Sequence, residues 1–163
     1  MALDVKQFKF KILSILPLIL LFFISLNGSA IVNISFFSAN IHYILVYYWV
    51  LRQPGTLSYG FIFLAGLFSD VVLGFPLGVN ALSLLVIAGA AAYIRVVTVR
   101  ITLINDWISF LPTLLLANLI YFICLYFSEY QISYLYLLKN SLFTFIFYPV
   151  LWLIFSMLSQ VTR

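Results

Sequence analysis

Long apolar stretches separated by short groups of charged residues run through the whole chain. The stretches 12–26 and 71–94 contain no charged side chain. A membrane-spanning helix needs about 20 mostly apolar residues, whereas the strands of a membrane barrel alternate apolar and polar side chains. Because backbone groups in lipid must pair within their own element, these unbroken stretches predict an all-α polytopic membrane protein.

Charged residues mark the ends of about six predicted transmembrane helices within a single membrane domain, residues 1–163. We place the spans at 12–31, 35–51, 57–74, 78–94, 107–127 and 140–160. Arg52 ends the second apolar stretch, and Asp106 and Glu129 lie at the two ends of the fifth. The second span is the least regular because it contains Asn40 and His42. A later start and a short helix are the alternative there.

The basic residues predict the orientation of the spans. If the N-terminus is cytoplasmic, seven of the eight Lys and Arg residues fall on the cytoplasmic side: Lys6, Lys9, Lys11, Arg52, Arg95, Arg100 and Arg163. Lys139 falls outside. Basic residues are concentrated in the cytoplasmic loops of membrane proteins. The pattern therefore predicts that both termini are cytoplasmic and that the number of spans is even.

Composition agrees with a lipid environment. Of the 163 residues, 66% are hydrophobic and 7% are charged, against roughly 25% charged in a soluble domain. We attribute the net charge of +4 to the orientation of the spans and expect no nucleic-acid partner. Cys124 is the single cysteine, so an internal disulfide and a cysteine-based metal site are excluded.

A cleaved signal peptide is an alternative interpretation of the N-terminal segment. Residues 6–11 form a basic region, and residues 28–30 are small, as cleavage requires. Cleavage would leave five spans with the new N-terminus outside. The first apolar stretch is long for a signal peptide, which favours a retained span.

Residues that could support catalysis are few and scattered. His42 is the only histidine, and it is far from Cys124 in the sequence. The four acids are widely separated: Asp4, Asp70, Asp106 and Glu129. The chain has no His-x-x-x-His, no Gly-x-Ser-x-Gly and no glycine-rich phosphate loop followed by lysine. We therefore predict that the protein is not an enzyme and uses no cofactor and no metal.

Asp70 is the one acid that we place inside an apolar span, where an acid costs roughly 3 kcal/mol on insertion scales. Gly66 and Gly74 lie four positions to either side of it, so the three residues share one helix face. Small residues on such a face allow close approach of another helix in lipid. The Gly-x-Pro-x-Gly pattern at 74–78 predicts a tight outer turn, and Asn80 begins the next span.

Two interpretations of Asp70 stay open. In the structural one, its carboxylate accepts hydrogen bonds from free N–H groups at the start of the fourth span and locks the third span to the fourth. In the functional one, Asp70 binds an ion or the backbone of a partner. The two overlap, because a locked hairpin can also be an interface.

Two segments in the middle third of the chain resemble the rod shape-determining MreD family. Residues 48–54 match its Trp-then-Pro segment, and residues 66–82 match its Gly-Leu-x-x-Asp-x-x-x-Gly-x-Pro-x-Gly-x-x-Ala-Leu hairpin. The rest of the chain agrees in hydropathy, length and span count. Matching positions assign the following as a partner-binding or structural hairpin: Gly66, Asp70, Gly74, Pro76, Gly78, Asn80 and Ala81.

The resemblance implies a role in the bacterial inner (cytoplasmic) membrane. MreD-like proteins lie beside the bitopic protein MreC in the elongation machinery for lateral-wall peptidoglycan, with MreB, RodA and a class B transpeptidase. Their fold is similar to that of the substrate-binding subunits of energy-coupling-factor vitamin transporters. We therefore expect a multi-pass scaffold that binds an MreC-like partner and maintains cell shape, with the face at 66–74 as one packing surface. The alternative is a small-molecule transporter subunit, for which the polar residues in the spans are few: Asp70, Asn80, Ser69, Ser83 and Asn118.

Overall fold

Six helices make up most of the chain in the computed structural model, which describes residues 15–27, 39–98, 102–130 and 134–161. The helices, in chain order, are α1 (Ile15–Leu26), α2 (Ile41–Arg52), α3 (Tyr59–Leu73), α4 (Val79–Val97), α5 (Leu103–Phe127) and α6 (Tyr134–Val161). No β-strand occurs in these four ranges. The prediction of an all-α fold is confirmed.

Within the described residues, three helical segments are long and apolar enough to cross a membrane: Val79–Val97, Leu103–Phe127 and Leu137–Ser159. Two further helices, α1 and α3, are apolar but shorter. Many large apolar side chains on α5 and α6 are exposed, among them Ile108, Leu115, Leu142 and Val150. A surface of this kind suits lipid as its solvent, and with the three long helices it indicates a membrane protein, as the composition predicts.

α2 lies at the centre of the bundle. Every side chain from Ile41 to Leu51 is buried, and the helix packs against α4 and α6. A helix that is apolar on all sides belongs in the interior of a protein. Its 12 residues extend over about 18 Å, whereas the hydrocarbon core of a bilayer is about 30 Å thick. α2 is therefore a short helix enclosed by its neighbours.

The helices differ from the predicted spans mainly at their starts. α2 begins at Ile41 rather than near 35, and residues 35–38 lie outside the described residues. α5 begins at Leu103, before the predicted start at 107, because the Thr102 hydroxyl caps its first turn by accepting a backbone N–H at 3.3 Å. α6 begins at Tyr134 rather than at 140.

Several features of the sequence prediction fall outside the described residues. These are the basic residues 6–11, the small residues 28–30 of the alternative signal peptide, Arg100 and Arg163. The orientation of the spans and the choice between a retained span and a signal peptide therefore stay predictions.

Contacts between helix ends show which ends of the helices lie together. At one end of the bundle, Arg52 at the end of α2 contacts Asp106 in the first turn of α5, and Trp152 of α6 joins them. At the other end α3 turns into α4, and Asn118 of α5 donates a hydrogen bond of 2.8 Å to Ser141 of α6. We call the first the junction end and the second the hairpin end.

Candidate functional site

The turn between α3 and α4 is built by the residues that the sequence singled out. α3 ends before Gly74, which has a φ of 67°, and the Phe75 N–H donates to the Asp70 carbonyl at 2.9 Å in a Schellman motif. Pro76 follows, and its carbonyl accepts the first N–H of α4 at 3.4 Å. Gly78 has a φ of 105°. Both glycines adopt backbone conformations that other residues rarely adopt, so the turn depends on them.

The carboxylate of Asp70 caps α4 from the preceding helix. It is fully buried and accepts the backbone N–H groups of Gly78 at 2.8 Å and Asn80 at 2.9 Å, together with the Asn80 side-chain amide at 2.9 Å. The N-cap of α4 is Gly78, which has no side chain for this role, so Asp70 supplies the acceptor that the helix end needs. The contact expected from the structural interpretation is present, and partner binding by Asp70 stays a prediction.

Gly66 brings the backbones of α3 and α4 into direct contact one turn away from Asp70. A Cβ atom added at Gly66 would lie 2.3 Å from the Cα atom of Ala81, closer than real side-chain contacts. Gly60, near the start of the same helix, faces open space. The face that carries Gly66 and Asp70 is therefore occupied by α4. Gly66 and Asp70 thus contact α4 within the surface at 66–74, and the packing of a partner on that surface stays a prediction.

Buried polar side chains join other helices near the hairpin end. The Asn40 N–H donates to the Thr144 hydroxyl of α6 at 2.8 Å, and Ser25 Oγ of α1 lies 3.1 Å from His42 Nε2 of α2. The Ser25 hydroxyl also donates to the Leu21 carbonyl of its own helix at 2.9 Å. The Ser25–His42 contact therefore joins α1 to α2 inside the bundle.

Three further polar side chains lie in the interior beside Asp70. They are Tyr43 of α2, Ser69 of α3 and Ser83 of α4, and all three are buried. Ser83 donates to the Val79 carbonyl at 2.8 Å, whereas the buried Tyr43 hydroxyl has no hydrogen-bond partner in the part of the chain that the structure describes. The Ser69 hydroxyl has no hydrogen-bond partner among the described residues. The sequence indicated the two serines but gave no signal for Tyr43.

A second buried acid connects three helices at the junction end. Asp106 is 2% exposed, and its Oδ2 atom accepts Nη2–H of Arg52 at 3.2 Å and Nε1–H of Trp152 at 3.0 Å. The Tyr47 hydroxyl donates weakly to the main-chain oxygen of Asp106 at 3.4 Å. We call the group formed by Asp106, Arg52, Trp152 and Tyr48 the arginine junction.

Aromatic rings flank the guanidinium of Arg52. Its central carbon lies 4.9 Å from the ring centroid of Trp152 and 5.8 Å from that of Tyr48. Both distances are within the range of cation–π attraction, which strengthens as water is excluded. The Arg52 side chain is 25% exposed, and the carboxylate and the two rings are among the groups that meet its charge.

Sequence reasoning did not find the arginine junction. It treated Arg52 as an orienting charge and Asp106 as the start of a span, and it gave Trp152 no role. The acid and the arginine are 54 positions apart, so no local pattern links them. The available signal was that both were expected at the same face of the membrane, at the ends of their spans.

Together these clusters join helices rather than assemble reactive groups. Asp70 and Asp106 lie at opposite ends of the bundle, and each is paired within its own cluster. No group of three or more His, Cys, Asp or Glu side chains that could hold a metal ion occurs in the part of the chain that the structure describes. The geometry supports a structural or binding role.

Comparisons with known proteins give no match. No protein-family model matches the chain, and neither a curated protein nor a solved structure is significantly similar to it. Fold and site define a class, an all-α membrane protein with a buried central helix and a polar lock at each end. Membership of the MreD family stays a prediction that depends on residues 48–54 and 66–82.

Proposed function

We propose that this protein is a non-enzymatic scaffold of the bacterial cell-elongation machinery that binds an MreC-like bitopic partner in the cytoplasmic membrane. The observation that carries the proposal is the hairpin between α3 and α4. The residues that resemble the MreD family there are those on which the turn depends, among them Gly66, Asp70 and Gly78. A hairpin fixed in this way presents a constant surface, which a scaffold requires.

In this proposal the chain crosses the membrane about six times, with both termini in the cytoplasm, and the crossing that contains the short α2 is enclosed by the other helices. The distribution of Lys and Arg supports this orientation, since seven of eight then lie inside. The junction end then faces the cytoplasm, and the hairpin end faces outward. The similarity in fold to energy-coupling-factor substrate-binding subunits is proposed on the family resemblance alone, as are the indirect links to MreB, RodA and a class B transpeptidase.

The partner contact is assigned to the exposed side of the hairpin. Gly66 and Asp70 face α4, whereas Leu77 at the tip of the turn is 71% exposed and Val71 projects from the outer face of α3. Asp70 then acts indirectly, because it holds the turn in the one conformation that presents Leu77. This arrangement joins the two interpretations of Asp70, with the buried residue as the lock and the exposed residue as the contact.

Partner capture tests the proposal. The tagged chain is extracted from bacterial membranes in mild detergent, and co-purifying proteins are identified for the native chain and for Asp70→Leu and Leu77→Ser. We expect an MreC-like protein with the native chain, little with either variant, and normal stability for Leu77→Ser.

Tyr93→Ser is the matched control, since Tyr93 is also 71% exposed but lies near the other end of α4. Capture should be unchanged in this variant. If no elongation protein co-purifies with the native chain in any detergent tried, the scaffold proposal fails.

A second candidate function is binding of a small molecule, as in a vitamin transporter's substrate-binding subunit. It is favoured by the polar side chains buried near the hairpin end, contributed by five helices: Ser25, His42, Tyr43, Ser69, Ser83 and Thr144. Polar groups at a common depth are what a ligand site in a membrane bundle needs. Most of these side chains form hydrogen bonds within the bundle, so few are left to bind a ligand. We therefore rank this candidate second. If a vitamin raises the melting temperature of the purified chain, and does not do so for Ser69→Ala, the small-molecule candidate would be favoured.

A further inference from the structure

The arginine junction has the composition of a receptor for a guanidinium group. A planar guanidinium is recognised by a carboxylate in its plane and by aromatic rings against its faces. Asp106 provides the carboxylate at 3.2 Å, and Trp152 and Tyr48 provide the rings at 4.9 Å and 5.8 Å. The three receptor groups come from α5, α6 and α2.

Contacts that do not involve Arg52 hold the receptor groups in place. Asp106 accepts the Trp152 Nε1–H at 3.0 Å, and the Tyr48 hydroxyl lies 3.2 Å from Ser159 Oγ. The rings of Tyr48 and Trp152 meet edge to face, with centroids 6.4 Å apart. The receptor is therefore organised by its own contacts, and the guanidinium is an occupant rather than its only support.

We propose that Asp106, Trp152 and Tyr48 form a binding site selective for a guanidinium cation, and that Arg52 is its tethered occupant. Arg52 is the last residue of α2 and is 25% exposed, whereas Asp106 behind it is 2% exposed. A buried carboxylate without a cation is strongly unfavourable, so an occupant of positive charge stabilises the site. This inference concerns the junction end and does not depend on the proposed scaffold function.

The proposal predicts a specific order of ligands for a site from which Arg52 has been removed. An alkylguanidinium combines the charge with the planar donors and should bind best. An alkylammonium has the charge but not the planar fork, and urea has the planar donors but not the charge. Both should bind much more weakly.

Chemical rescue of Arg52→Ala is the test, using melting of the purified full chain in detergent. We expect the substitution to lower the melting temperature by roughly 5–10 °C. Millimolar ethylguanidinium should restore most of this loss, and ethylammonium or urea should not. In the double variant Arg52→Ala, Asp106→Asn, ethylguanidinium should not raise the melting temperature. Arg95→Ala, which removes an exposed arginine at the end of α4, should melt like the native chain and not respond.

Two outcomes would overturn the site. One is that ethylguanidinium leaves Arg52→Ala unchanged, and the other is that it stabilises all variants equally. Arg52→Lys provides a second measurement if the alanine variant does not fold. It keeps the positive charge but loses the planar fork, so it should melt below the native chain. A lysine variant as stable as the native protein would show that the site recognises charge alone, and selectivity for guanidinium would be excluded.

Discussion

The hairpin end and the junction end each bury an acid, but they satisfy it in different ways. Asp70 accepts its three hydrogen bonds from groups only eight or ten positions further along the chain. Asp106 accepts from side chains 54 and 46 positions away. Asp70 meets the N–H groups at a helix start, where the helix dipole favours a negative charge. Asp106 meets a full positive charge with aromatic rings beside it.

Because of this difference, the two clusters should form at different stages of folding. The hairpin end closes a short loop, which costs little conformational entropy, so we expect it to form as soon as α3 and α4 pair. The junction end needs α2, α5 and α6 in place together. The hairpin end therefore acts as a local unit, whereas the arginine junction is complete only when the whole bundle is assembled.

Gly66→Leu should have the largest effect, because it breaks the hairpin end at its closest contact. The new side chain would meet the Ala81 backbone, which cannot move aside as a side chain can. Overpacking of a core commonly costs 1–3 kcal/mol, and here we expect more than about 3 kcal/mol. The measurement is the fraction of monodisperse protein after extraction in detergent. Gly60→Leu is the control: it faces open space and should remain folded, and an equal loss in both would contradict the close contact.

Asp70→Leu should have the next largest effect, about 2–4 kcal/mol in the free energy of unfolding. It leaves two backbone N–H groups and the Asn80 amide without their acceptor. Asp70→Asn keeps one carbonyl acceptor and should lose roughly half as much. Unfolding in mixed detergent micelles measures both. Equal losses for the two variants would show that the charge, rather than the acceptor atoms, matters at this turn.

The sequence predicts the hairpin end well because its determinants are local. Gly66, Asp70 and Asn80 follow from helix spacing and from the free N–H groups at a helix start, both of which can be read along one stretch of chain. The all-α class follows equally directly from the uncharged apolar stretches. Neither inference needs to know which helices are neighbours.

The junction end and the central position of α2 could not be predicted in this way. In a soluble bundle the apolar face of a helix shows where the core lies, but lipid is as apolar as a protein core. The side chains of α2, buried on all sides, therefore look like those of lipid-facing helices. Without the order of neighbours, nothing links Arg52 to Asp106 or Trp152.

Trp152→Phe tests whether the charge of Asp106 makes the arginine junction stronger than an ordinary contact. It removes the Nε1–H donor to the carboxylate but leaves a ring against Arg52. Hydrogen bonds to charged groups contribute about 1.5–3 kcal/mol. Trp107→Phe is the matched control, because its Nε1–H donates to the neutral Phe145 carbonyl at the same distance of 3.0 Å. It should cost about 1 kcal/mol. If Trp107→Phe costs as much as Trp152→Phe, the charge of the acceptor does not strengthen the hydrogen bond of Trp152.

Tyr47→Phe should have the smallest effect and defines the boundary of the junction. The lost bond to the main-chain oxygen of Asp106 is long, at 3.4 Å, so we expect a cost below about 0.5 kcal/mol. The ring keeps its edge contacts with Phe110 and Tyr148, at centroid distances of 5.0 Å and 5.8 Å. Tyr47→Ala removes those as well and should cost about 3–5 kcal/mol. If Tyr47→Phe instead lowers the free energy of unfolding as much as Trp152→Phe does, the Tyr47 hydroxyl is part of the arginine junction. The junction would then depend on the main-chain oxygen of Asp106 as well as on its carboxylate.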